Sequence, residues 1–301
     1  MMTLALALLA AVTLNRPQVQ DSTAGWITVT PQESLRVTAV GPVDGPAVVI
    51  IPGLVSPAYA YRKVLPPLAD SGVRAVVIEP LGVGQSSRPG DADYSHTAQA
   101  ARIAAVMDTL GITHAVVMGH VVGAAIALRM TLARPDLVNA LLLVEGGAIE
   151  SAAVPGVKKA LKFAWLIKLF VGRGRIKKEL RKGLIASSAD TSWVSDSVID
   201  HYTEGEAGNM GAVLRGLKGM QRAVEPDSLT PRLDRIHVPV VLLAGAAPHD
   251  AGIGRGRILA LQHGLPHFSI DSVPGAGLQI NEERPAAVVG ALMNLVHQDE
   301  L

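Results

Sequence analysis

The chain has 301 residues, of which 49% are hydrophobic, so it can bury a sizeable core without staples. Its formal net charge of +1 argues neither for nor against nucleic acid as a global partner. There is no cysteine, which excludes disulfides, thiolate catalysis and Cys-based zinc sites and leaves the redox compartment undecided.

Residues 1–14 are almost wholly apolar, with Leu4-Ala5-Leu6-Ala7-Leu8-Leu9-Ala10-Ala11-Val12 at their centre. The run is too short to span a bilayer comfortably. It is similar to the apolar stretch of a secretory signal, with small residues for cleavage, although no Lys or Arg precedes it. Residues 1–24 read as an apolar leader, and export or membrane attachment stands level with a cytoplasmic location.

Trp26-Ile27-Thr28-Val29-Thr30 and Leu35-Arg36-Val37-Thr38-Ala39-Val40 alternate apolar and polar residues, as half-exposed antiparallel strands do. Continuous apolar runs follow at residues 47–51, 75–78, 115–118, 140–144 and 240–244, and a further strand pattern at residues 268–273. Runs of this kind suit strands buried on both faces. Helical periodicity fills residues 61–71, 97–110 and 123–133. Strands alternating with helices predict an α/β fold with a doubly wound, mostly parallel sheet.

Residues 149–231 interrupt this alternation with helical pattern and no clear buried strand. They are expected to form an inserted helical cap over the C-terminal edge of the sheet, with residues 25–148 and 232–301 as the core. Open α/β sheets place their ligands at that edge. Between Lys158 and Lys182 the cap carries ten Lys or Arg against one acid, Glu179, a local net charge of +9. Apolar residues are interleaved, which predicts a basic amphipathic helix, a turn at residues 172–174, and a second basic helix. The first expectation is a cap helix with its apolar face over the cavity. An anionic membrane surface is kept as an alternative partner. Few aromatics and no binding motif argue against nucleic acid.

The most informative stretch is Gly119-His120-Val121-Val122-Gly123. An apolar run precedes it and a helical pattern follows. This is the strand, sharp turn and helix of the Gly-x-Ser-x-Gly elbow, where the central residue is a nucleophile held on a strained turn. Here the centre is Val121, and an isopropyl group cannot attack a carbonyl.

Together with other motifs, the elbow resembles the α/β-hydrolase superfamily, in the branch of haloalkane dehalogenases, epoxide hydrolases and meta-cleavage-product hydrolases. Ile50-Ile51-Pro52-Gly53-Leu54 is similar to that family's strand and His-Gly-x oxyanion loop. Glu79-Pro80-Leu81-Gly82-Val83-Gly84-Gln85-Ser86-Ser87-Arg88-Pro89 is similar to its Asp-x-x-Gly-x-Gly-x-Ser loop. Val273-Pro274-Gly275-Ala276-Gly277-Leu278 is similar to its Pro-Gly-x-Gly-His loop, and Glu282-Glu283-Arg284-Pro285 to the tail that often follows. The resemblance covers almost everything from residue 26 to residue 296.

The departures fall on the chemistry. At the positions that the resemblance assigns to nucleophile, acid and histidine stand Val121, Pro248 and Leu278, and Pro52 replaces the oxyanion-loop histidine. All three triad members are changed, so the proton relay of the family is missing. The candidate substitutes are Glu145 at a strand end, the pair His249 and Asp250, Ser56, and His120. Glu145 reads first as a hydrogen-bonded strand-end carboxylate, His249 and Asp250 as an exposed loop pair, and His120 as a packing residue turned away from Val121. Ser56, Tyr59 and Tyr61 are placed to line a cavity. His267 begins a strand at the opposite sheet edge. His96 and the remaining histidines have no motif around them, so surface or packing roles are the default.

Backbone donors outlast side-chain changes. The resemblance implies an oxyanion hole made by the N–H groups of Val122 and Leu54, with Gly53, Leu54, Val121, Val122 and Leu278 as the ligand-binding set. The expected protein is a non-hydrolytic, small-molecule-binding member of its fold, taking a small apolar or carbonyl-bearing molecule with no metal or other cofactor. Two alternatives stay open. One is a triad-independent lyase, isomerase or cyclase; the other is a hydrolase with relocated residues.

Overall fold

The computed structural model describes residues 23–153, 173–204 and 210–299. The apolar leader up to residue 22 and the basic stretch up to residue 172 lie outside the described residues.

Eight strands form one sheet: β1 (Thr23–Thr30), β2 (Glu33–Val40), β3 (Ala47–Ile51), β4 (Arg74–Ile78), β5 (Ala115–His120), β6 (Val138–Val144), β7 (Val240–Gly245) and β8 (Phe268–Val273). Their order is β1-β2-β4-β3-β5-β6-β7-β8. The β1 and β2 hairpin joins β4 antiparallel, and every pairing from β4 across to β8 is parallel. The expected doubly wound sheet is therefore present, each apolar run forming the strand it predicts. β1 starts inside the expected leader, because Thr23 and Ala24 pair with Ala39 and Thr38.

The helices are α1 (Leu65–Asp70), α2 (His96–Thr109), α3 (Val122–Ala133), α4 (Arg173–Ala186), α5 (Asp196–Thr203), α6 (Met210–Arg222), α7 (Arg255–Gly264), α8 (Ile280–Glu283) and α9 (Pro285–Asp299). The helix expected over residues 61–71 is shorter. A 3-10 turn at Ala58–Tyr61 precedes α1, whose first turn holds Pro66 and Pro67. Proline fits there, where no N–H is needed, but it biases the preceding residue out of helix. The second basic helix already starts at Arg173, so Gly174 is helical and the turn expected at residues 172–174 does not extend that far.

Strand side chains alternate between two cores, as a two-residue period requires. Val49, Ile51, Val117, Leu141, Leu143 and Leu242 pack with α2, α3 and α7 on one face. Val48, Ile50, Val116, Met118, Leu142 and Val144 pack with α1 and α9 on the other. Helices α4 to α6 lie between β6 and β7, and no strand occurs among the described residues of this segment. Glu79 braces the long loop after β4. Its carboxylate accepts the Ala58 N–H at 2.8 Å and the Gln85 N–H at 2.6 Å. Ser86 Oγ donates to the Glu79 carbonyl at 2.7 Å and accepts the Arg36 N–H at 2.8 Å. The Glu-x-x-Gly-x-Gly-x-Ser run is thus a buried brace that aims loops toward the C-terminal edge of the sheet.

Candidate functional site

β5 ends at His120 and α3 begins at Val122, so Val121 makes the turn alone. Its φ of 52° and ψ of −109° are strained for a β-branched residue, at a cost of order 1–3 kcal/mol. The surroundings hold it there. Val121 N–H donates to Val144 O at 2.9 Å, and Ala124 N–H returns to Val121 O at 3.2 Å. Backbones also crowd the two flanking glycines: a Cβ on Gly119 would lie 2.5 Å from Ala124 Cα, and one on Gly123 2.1 Å from Ile51 O. The turn keeps its shape with a side chain that has no use for it as a nucleophile.

The N–H groups of Leu54 and Val122 have no hydrogen-bond acceptor among the described residues. Both residues line one cavity of about 20 Å³, room for a single water. Val83, Ile126, Ala152 and Met220 supply apolar wall, while His96 and Gln99 are polar. Gln99 is spent, since its amide bonds both the N–H and the carbonyl of Leu81 at 2.9 Å. The cavity does not reach Gly53, Val121 or Leu278. Gly53 lies against the His120 carbonyl and the Val121 side chain, and Leu278 N–H donates to Ser187 O. Of the expected binding set, only the two amide donors line the cavity.

Sequence reasoning missed His96. It opens α2 and is 2% exposed. Nδ1 lies 3.2 Å from Ile149 O, a pure acceptor, so Nδ1 carries the proton. Nε2 is buried without a partner. Burial holds this imidazole below its ordinary pKa, against the pull of Glu225. Glu225 Oε1 is 3.6 Å from Nδ1. The same carboxylate accepts the N–H groups of His96 and Thr97 at the start of α2, at 2.5 and 3.2 Å, and meets Arg129 Nε at 3.3 Å. The only sequence signal was Ser95 before His96, a helix N-cap, which does not distinguish a packed histidine from a pocket histidine.

The other candidates sit elsewhere. Ser56 is buried and its Oγ donates to Gln279 Oε1 at 3.4 Å. Tyr61 is fully buried in the core, and Tyr59 lines an open groove with Arg62 and His201, its ring stacked on His201 at 4.1 Å. None of the three lines the elbow cavity, contrary to expectation, because the chain turns into the 3-10 segment Ala58–Tyr61 soon after Leu54. Asp250 is exposed rather than aimed inward: its N–H bonds Ala186 O at 3.2 Å, and Ala251, at φ 64°, turns the chain away. Pro248 is exposed as well.

Glu145 and His249, read apart in sequence, meet in space, their carboxylate Oε2 and Nε2 being 3.5 Å apart. His249 is therefore not an exposed loop residue; its side chain is 8% exposed. The pair is internally committed. Nδ1 of His249 bonds Ala247 O at 2.7 Å. Glu145 accepts the N–H of Gly245, and that of Ile253 at 3.0 Å. Nε2 of His249 is buried and faces Glu145 Oε2 without a hydrogen bond, and His249 does not line the elbow cavity.

His120 is fully buried, and its Nε2–H donates to Leu278 O at 3.0 Å. Leu278 N–H in turn donates to Ser187 O at 2.8 Å, where α4 ends. Leu278 is thus tied through its backbone to β5 on one side and to the end of α4 on the other. Burial pushes the His120 pKa down to about 4, opposed by the bond to Leu278. A depressed histidine contributes stability that is complete above the unfolded value near 6.5 and is lost as pH falls toward about 4. The unfolded chain binds the proton in that window and the folded chain does not. Urea melts from pH 7 to pH 4.5 should therefore show stability falling, by about 2 kcal/mol from this group at the lower limit. His120→Gln should flatten that slope, leaving the part due to His96; an unchanged slope rejects the assignment.

The sequence model described as alpha/beta hydrolase fold matches residues 46–181. Epoxide hydrolase A of Mycobacterium tuberculosis is 32% identical over 309 aligned positions, covering 89% of this chain and 95% of the relative. Uncharacterized hydrolase YugF of Bacillus subtilis is 24% identical, over 80% of this chain and 86% of the relative. Among solved structures, Cfl2 of Burkholderia cenocepacia superposes with a TM-score of 0.73 at 22% identity, covering 91% of this chain and 95% of that one. Epoxide hydrolase CorEH superposes with a TM-score of 0.76 at 19% identity, covering 92% and 99%. With the sheet order, the strained elbow and a relative matching along nearly its whole length, this chain belongs to the α/β-hydrolase superfamily.

Proposed function

We propose that the protein binds a small carbonyl-bearing molecule of apolar character at the elbow and does not hydrolyse it. The observation that carries this reading is the pair of unpaired N–H groups, on Leu54 and Val122, lining one apolar cavity beside a valine. Donors without acceptors become costly once a ligand shuts out water, and a carbonyl oxygen would satisfy both. Each such bond contributes on the order of 0.5–1.5 kcal/mol, more if the oxygen carries charge. Val121 brings no lone pair, Ser56 no neighbouring base, and neither Glu145 nor His249 lines the elbow cavity. These placements speak against a relocated hydrolytic triad.

The names of the relatives favour the other reading, hydrolysis of an epoxide or a related bond. The purified chain decides between them when incubated with p-nitrophenyl acetate, styrene oxide and 1-bromobutane. Turnover at the buffer rate, with no covalent adduct by intact-protein mass spectrometry, is the expected result; saturable turnover or an adduct overturns it. Ligand-observed NMR with butanone and cyclopentanone should show binding that Ala152→Phe, which fills the cavity, abolishes.

A related expectation concerns repair. Val121→Ser combined with Leu278→His should stay at the wild-type background in the same ester assay. Pro248 supplies no acid, and Glu145 is held by two backbone N–H groups and faces His249. A gain of a hundredfold or more would mean that Glu145 is released to serve the new histidine.

A further inference from the structure

Among the buried polar atoms that have no partner, one lies in the wall of the elbow cavity. His96 carries its proton on Nδ1, toward Ile149 O at 3.2 Å, with Glu225 Oε1 at 3.6 Å from the same nitrogen. Nε2 therefore holds a lone pair, is buried, and has no partner. His96 lines the same 20 Å³ cavity as Leu54 and Val122, whose N–H groups are donors. The residues carrying two donors and one acceptor without partners thus line one water-sized volume, in a site with no nucleophile at its centre.

We propose that His96 is a general base, oriented by Glu225, that removes a proton from the carbon next to the carbonyl of the bound molecule. The inference rests on the carbonyl site proposed above. Nε2 takes the proton, the C–H electron pair becomes a carbon–carbon double bond, and the carbonyl π electrons move onto oxygen. The Leu54 and Val122 N–H groups stabilise that oxygen. Return of the proton from Nε2 to the same carbon exchanges hydrogen, and delivery to another carbon moves the double bond. No oxidant, reductant or second substrate is consumed. The substrate class is a small ketone with an apolar flank toward Val83, Ile126 and Met220; the Met220 side chain is flexible enough to yield to it.

The charges around His96 are defined. Glu225 follows α6, Arg129 on α3 reaches Glu225 at 3.3 Å, and Glu150 lies 3.7 Å from Arg129. Burial keeps the imidazole neutral at neutral pH, with its Nε2 lone pair available. Glu225 does not touch the cavity, so it acts as a positioning residue through Nδ1.

The test follows exchange of the α-hydrogens of butanone and cyclopentanone in deuterium oxide by proton NMR, with binding measured on the same samples. Wild-type protein should raise the exchange rate at least about 100-fold over buffer, the range of a positioned base. His96→Gln should lose that acceleration and still bind ketone. Glu225→Gln should reduce it about tenfold and displace the midpoint of its pH profile, which a purely structural role would not do. If Glu225→Gln does not fold, His96→Gln carries the test alone. Ketone binding without exchange, or exchange that survives in His96→Gln, overturns the base and leaves the carbonyl site standing. Failure of both ketones to bind overturns the carbonyl site and the base with it.

Discussion

Arg129→Met should lower the unfolding free energy by about 3–5 kcal/mol, the range for removing one partner of a buried ion pair. For a chain of this length that corresponds to a fall in Tm of roughly 5–8 °C. Arg129 lies on α3, and only 4% of its surface is exposed. Its guanidinium meets Glu225 at 3.3 Å, Asp227 at 2.9 Å and the Thr97 hydroxyl at 3.0 Å. The three acids are not equivalent. Asp227 and Glu150 keep 42% and 41% of their side-chain surface in solvent, whereas Glu225 keeps 6%. Solvent screens the first two, so the loss falls on Glu225, which must remain ionised and desolvated or take up a proton. The double variant Arg129→Met with Glu225→Gln removes both charges and should recover most of the loss, which separates the ion pair from simple packing. A single variant within 1 kcal/mol of wild type would show that Glu225 finds water.

This cluster marks where sequence reading stopped. The sheet was legible because its signal is local: Ala47-Val48-Val49-Ile50-Ile51 is typical of a strand buried on both faces, and β3 has those bounds. The elbow was legible for a similar reason, since its crowding is met by glycines two residues either side of Val121. The surroundings of the cavity were not. His96 and Glu225 are 129 positions apart, and Arg129 and Asp227 are 98 apart. Nothing periodic or motif-like connects them; the pairing exists because the chain returns from the cap across the start of α2. Glu145 and His249 illustrate the same gap. Each was weighed as an isolated residue, and their meeting at 3.5 Å depends on how β6 and the loop after β7 end side by side. Motifs locate backbone geometry well, while long-range polar pairs need the fold.

Gly123→Ala should be strongly damaging, and it tests whether the elbow is held as described. Two effects oppose each other. Alanine in place of glycine in a helix gains about 1 kcal/mol of propensity. Against it, the new Cβ would stand 2.1 Å from Ile51 O, 3.0 Å from Ile51 C and 3.1 Å from Pro52 O. These are backbone atoms at the end of β3, which is paired with β4 and β5 on both sides, so no side-chain rotation relieves the clash. Overpacking of this kind costs about 1–3 kcal/mol when side chains can move and more when they cannot. We therefore expect a net loss of more than about 3 kcal/mol in urea denaturation. Gly183→Ala on α4 is the matched control, because its Cβ would meet nothing within 4 Å and only the propensity gain remains. The two variants should move stability in opposite directions. Since the strand end that must shift leads straight into Gly53 and Leu54, Gly123→Ala should also abolish ketone binding under conditions where it is still folded. A Gly123→Ala protein as stable as Gly183→Ala, binding ketone normally, would mean that α3 and β3 do not approach at the elbow, and the placement of both amide donors would fall with that contact.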